Sequence, residues 1–190
     1  MVAPIDLVNR ALVLLGEQPI MALDQPCKPA RVASIMYEGA LESELSGHPW
    51  HFAKKRQILA EVDDPDAPDG EASYRLPSDW LQSLAVCTVS GEEDLQAVHE
   101  GAYIRSPNPS GVMLSYLAKI DDPSAWPALF REVLVLRLAV DMAQSLTQSG
   151  GSRASLNQAY ELALRKARHA NAWMASPASL PVSHWITHRR

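Results

Sequence analysis

ALFREVLVLRLAVDMAQSL, residues 128–146, lies in the most apolar part of the chain. Leu129, Phe130, Val133, Leu134, Leu136, Leu138, Val140, Met142 and Leu146 are spread most of the way round a helical wheel. A helix that is hydrophobic on most sides has to be covered on more than one side. Arg131, Glu132, Arg137 and Asp141 interrupt the run, which is too short and too charged to span a membrane. The cover must come from the rest of the chain or from another copy of it.

The bulk composition permits such a core. The chain has 190 residues, 47% hydrophobic and 21% charged, enough for one domain or one domain with a sizeable insertion. A formal net charge of -5 argues against a whole-chain nucleic-acid footprint. Cys27 and Cys87 have no CxxC spacing, so reduced thiols are expected. The N-terminal MVAPIDLVNRALVLLGEQP carries Asp6 and no basic segment before its apolar part, so no signal peptide is expected.

Outward from that window, helices lie on both sides. Ile5, Val8, Leu12 and Leu15 recur at helical spacing, with Pro4 in the first turn and Gly16 suited to the left-handed position past the end. A second helix is expected over 29–46, with Ala33, Tyr37, Leu41 and Leu45 in an i+4 row. In HPWHFAKKRQILA, 48–60, Trp50 and Phe52 plug the end of the helical core ahead of a short helix with a cationic side. QSGGS at 148–152 is a break before a last helix over 153–174. Its face of Leu156, Tyr160, Ala163, Ala167, Ala170 and Met174 is rich in alanine and permits close approach to 128–146.

Between these helices the pattern changes. The acidic, proline-rich EVDDPDAPDGE at 61–71 lacks the ligand spacing of a calcium loop and reads as a solvated boundary. Five short strand-like runs follow over 74–117, separated by turn residues, which suggests a small antiparallel meander or barrel-like sheet. The expected fold is α+β and mainly α: an antiparallel helical bundle with a small inserted antiparallel β domain and an extended C-terminal tail. The corresponding boundaries are 1–61, 62–120, 121–174 and 175–190. The tail ends in HWITHRR, an unusual composition for a purely solvating segment. Trp185, Ile186, Arg189 and Arg190 are its candidate partner-binding residues, and Leu136 and Val140 are those of the surplus apolar helix face.

No motif carries chemistry. The sequence has no GxSxG, P-loop, GxGxxG or HExxH pattern. His184 and His188 lie four apart without an evident third ligand, so no metal or other cofactor is expected. Arg165, Lys166, Arg168 and His169 could touch phosphates, but they fit better as the cationic C-terminal half of a helix, which its dipole favours.

Four segments, in order, resemble one family: ALVLLGEQPI at 11–20, the Tyr37-Leu41-Leu45 helix leading into HPWHFAKKRQILA, YRLPSDWL at 74–81, and the helical pair ending in YELALRKARHANAW at 160–173. The family is the head-to-tail adaptor of short-tailed bacteriophages, also called tail tubular protein A. The chain departs from it in the shortened acidic loop before Tyr74 and in the tail after Trp173. The resemblance implies a non-enzymatic virion protein at the portal vertex, assembled in the bacterial host. It implies a dodecameric ring joining portal protein to the nozzle, tail tubular protein B, with DNA passing through the lumen without specific binding and tail fibres attaching nearby. A reading of a different class is an accessory phage domain that binds a ligand or peptide on its β insertion. A third is an enzyme using His48, His51 and the acidic loop.

Overall fold

The computed structural model describes residues 2–64, 67, 70–92, 96–107, 111–147 and 150–174. Four α-helices stand among them: α1 (Pro4–Leu14), α2 (Lys28–Ser46), α3 (Ala128–Leu146) and α4 (Gly150–Trp173). The apolar window is α3, and α1, α2 and α4 all pack on it. Its Phe130, Val133, Leu134, Val135, Leu138, Ala139, Met142 and Ala143 are buried. Each large apolar side chain so buried contributes about 1.5–3 kcal/mol. On α4, Leu156, Tyr160, Ala163, Leu164 and Ala167 form the face that meets this core.

Local chemistry sets the helix ends. At α1, Asp6 reaches back to accept the Ala3 backbone N–H at 2.8 Å. At the other end the Glu17 N–H reaches the Leu12 carbonyl at 2.9 Å and the Gly16 N–H reaches Val13 at 3.0 Å. This crossed pair requires a left-handed residue, and Gly16 supplies it at φ 77°. The following connector is tied back by Asn9, whose side chain donates to and accepts from the Ile20 backbone at 2.9 and 2.8 Å.

The remaining elements are seven strands in two antiparallel sheets. These are β1 (Lys54–Leu59), β2 (Glu61–Val62), β3 (Ala72–Arg75), β4 (Trp80–Thr88), β5 (Val98–Glu100), β6 (Tyr103–Ser106) and β7 (Val112–Ala118). One sheet runs β1-β7-β4 and the other β2-β3-β6-β5. They share one core: Leu59, Val112, Leu114, Tyr116 and Ala118 from the first meet Ala72, Tyr74 and Ile104 from the second. Alternation along β7 sends Val112, Leu114, Tyr116 and Ala118 into that core, while Leu117 joins the helical core. Just past β7, Lys119 pairs with Glu38 and Glu42 of α2, and the Trp126 indole donates to the Ile120 carbonyl at 2.9 Å.

The fold is therefore mixed α+β and not an antiparallel helical bundle with a small inserted β domain. One misread segment and the order of the strands produce the difference. Lys54–Leu59, expected as a short helix, is a strand paired along its length with β7, from Lys54 opposite Leu117 to Leu59 opposite Val112. Its strand state comes from a partner more than fifty residues away, which local periodicity does not report. The strands also do not follow chain order as a meander would, because β7 is inserted between β1 and β4. A smaller correction concerns Gly150, Gly151 and Ser152, read as a break, which are the first turn of α4. The extended tail, 175–190, lies outside the described residues.

Leu134 is fully buried at the centre of α3. Leu134→Ala is expected to lower the unfolding free energy by about 2–5 kcal/mol, read from urea denaturation. A loss under about 1 kcal/mol would show that the α3 core does not hold the helices together.

Candidate functional site

The helices leave two apolar depressions beside α3. The first lies between α1 and α3, is about 380 Å³, and is lined by Asn9, Arg10, Val13, Leu14 and Val135. Val13 and Leu14 are 59% and 46% exposed. The α1 sequence contained the signal, because both lie off the Ile5-Val8-Leu12-Leu15 face that packs inward. The second, about 230 Å³, lies between the start of α3 and the end of α4. Trp50, Pro127, Leu129, Phe130, Ala170 and Met174 form most of its wall. Behind it is an aromatic cluster: Phe130 meets Trp50, Phe52 and Trp126 edge-on at centroid distances of 5.0, 4.9 and 5.5 Å. Trp50 and Phe52 thus close the helical core from the α2–β1 connection.

The candidate residues of the sequence divide between core and tail. Val140 is buried in the helical core, and Leu136 is half-buried against it. Neither projects as a free apolar knob; on α3 the large side chain left exposed is Leu129. Trp185, Ile186, Arg189 and Arg190, with His184 and His188, lie outside the described residues.

Polar groups around the second depression are engaged in structure. The Trp50 indole donates to the Glu44 carbonyl at 2.7 Å, and the Tyr160 hydroxyl donates to the Glu44 carboxylate at 2.7 Å. Arg137 stands 3.7 Å from that carboxylate, pairs with Asp141 at 2.8 Å, and lies over the Tyr160 ring at 5.9 Å. Burial pushes the Glu44 carboxyl above the usual range, although Tyr160, Arg137 and Arg168 pull the other way. Burial and the Glu44 carboxylate push the Tyr160 phenol up to about 12. Asn171, on α4, accepts the His51 backbone N–H at 2.8 Å and sets its amide 3.0 Å from the His48 ring. Burial, then the cations Arg168 and Lys54, lower the His48 pKa.

The other candidate chemistry has similar employment. Asp64 of the acidic loop accepts from Ser73 at 3.0 Å and from Arg105 at 3.2 Å, tying that loop to β3 and β6. Arg168 donates to the Gly47 carbonyl, and His169 packs edge-on against Trp173. Cys27 and Cys87 are free and half-buried. Among the described residues no group of three or more His, Cys, Asp or Glu side chains is placed to hold a metal ion. Also among them, no helix is long and apolar enough to cross a membrane.

No protein-family model matches the sequence, and no curated protein is significantly similar to it.

The Glu44 shift gives stability a pH dependence of known sign. A carboxyl that titrates higher folded than unfolded stabilises the fold fully below its unfolded pKa. That contribution is lost as the pH rises through the folded value. Glu44→Gln keeps an acceptor for Tyr160 and does not titrate. The unfolding free energy of the parent should therefore fall relative to that of Glu44→Gln as the pH is raised from about 4 to 7, measured by urea denaturation. A difference that stays flat, or moves the other way, would contradict the burial of this carboxylate.

Proposed function

We propose that the chain is a head-to-tail adaptor of the tail tubular protein A type. It is a structural virion subunit with no enzymatic activity. Copies of it assemble in the bacterial host into a dodecameric ring between the portal protein and the nozzle, tail tubular protein B. DNA passes through the lumen, and tail fibres attach near the nozzle junction.

The observation that carries this reading is exposed apolar surface on α1 and α4, two of the three helices that pack on α3. Val13 and Leu14 stand out on α1, and Leu162, 49% exposed, on α4. A ring closed by rotation joins one face of a subunit to a different face of the next, so each subunit needs two unlike surfaces. The depression between α1 and α3 gives the first face a receptive shape. The ordered resemblance of four segments supplies the family. The net charge of -5 agrees with a channel wall over which DNA slides, since tight binding scales with phosphates neutralised by Lys and Arg. In this reading Trp185, Ile186, Arg189 and Arg190 of the tail contribute to the portal contact.

Electron microscopy of the chain mixed with the portal protein of its own genome tests the proposal. The expected result is a twelve-fold ring of added density on the tail-side face of the portal. Val13→Lys with Leu14→Lys should fold normally, because exposed substitutions shift stability by only about 0.5 kcal/mol. The same double variant should fail to complete the ring. Absence of binding by the parent chain to that portal would refute the adaptor reading.

A further inference from the structure

The pocket between the start of α3 and the end of α4 has properties that restrict its occupant. At about 230 Å³ it falls below the ~300–1,000 Å³ of ordinary small-molecule sites and suits one large side chain with a neighbour. Its wall is apolar apart from Asn171. That amide is already committed to the His51 backbone, the His48 ring and the Pro49 carbonyl. A polar ligand would find no unused partner there, whereas an aromatic or aliphatic side chain needs none. The apolar surface continues outward: Trp173 and Met174 at the end of α4 are 77% and 61% exposed, and Leu129 stands at the opposite lip.

The chain itself continues from this lip. Met174 lines the pocket, and the sequence goes on from it as ASPASLPVSHWITHRR. Pro177 opposes continuation of α4 in a straight line. Ten residues separate Met174 from Trp185. Fully extended they span about 33–36 Å, ample for the chain to double back. Trp185 and Ile186 are the large adjacent apolar pair in that segment. A segment tethered at the mouth of a pocket has an effective concentration of order millimolar, which no untethered partner of ordinary abundance matches.

We propose that this pocket is the seat of the chain's own C-terminal segment, with Trp185 and Ile186 as the anchors. The free subunit then carries its tail on the face made by Trp50, Leu129, Phe130 and Ala170. Any partner that engages the tail must first draw it from this seat. The proposal does not depend on the adaptor reading, since it concerns the isolated chain.

The test is methyl and indole NMR on the full-length chain. Trp185→Ala should shift the methyl signals of Leu129 and Ala170, with the same displacement at every protein concentration and a monomeric mass. In the other direction, Ala170→Leu, which fills the pocket from its own wall, should move the Trp185 indole N–H signal to the position it has in a short peptide of the tail sequence. Unchanged Leu129 and Ala170 signals in Trp185→Ala, or an unmoved indole in Ala170→Leu, would overturn the proposal. Shifts that disappear on dilution together with a dimeric mass would also overturn it, by assigning the pocket to the tail of a second copy.

Discussion

α3 imposes the governing constraint. Its buried side chains, from Phe130 through Ala143, point in too many directions for one partner to cover. The chain answers with three: α1 and α2 from before the strands and α4 after them. Covering α3 therefore draws on helices that precede the strands and on one that follows them. β7 joins strands to helices, with Leu117 seated among the helices and Ile120 packed against both cores. The α3–α4 contact is close because α4 offers Ala163 and Ala167 where larger residues would hold the axes apart.

A second layer of specification is polar. Glu44, Tyr160, Arg137 and Asp141 join α2, α3 and α4 at a point where an unpartnered charge would be strongly destabilising. The Trp50 indole and Asn171 fasten the connection between α2 and β1 to the same region. Apolar burial alone tolerates some sliding of helices; a buried carboxylate that must reach one hydroxyl and one guanidinium tolerates little. These contacts fix the mouth of the α3–α4 pocket, because Trp50 and Asn171 are both part of its wall.

Much of the helical half was legible from periodicity. Ile5, Val8, Leu12 and Leu15 marked α1, and Gly16 marked its end for a reason that the crossed hydrogen bonds bear out. Strand content in 74–117 was legible from turn residues, although its arrangement was not. Register between β1 and β7 depends on contacts across the chain, and the sequence KKRQIL carries no alternation that announces them. The apolar surfaces were partly legible. Val13 and Leu14 fall off the inward face of α1 by simple counting, yet the surplus face assigned to Leu136 and Val140 is largely turned inward. A helical wheel counts apolar directions and does not know how many neighbours will arrive. The pocket at the end of α4 combines residues 50, 127–130 and 167–174, a juxtaposition available only after folding.

Native-state hydrogen exchange on the amides of α3 is the most direct measure of its central place. If α1, α2 and α4 together cover this helix, the amides from Val133 to Met142 should exchange only through global unfolding. Their opening free energy would then match that from urea denaturation. Amides in this span that exchange through local opening, at a clearly lower free energy than those of β7, would contradict the view that the fold is built around α3.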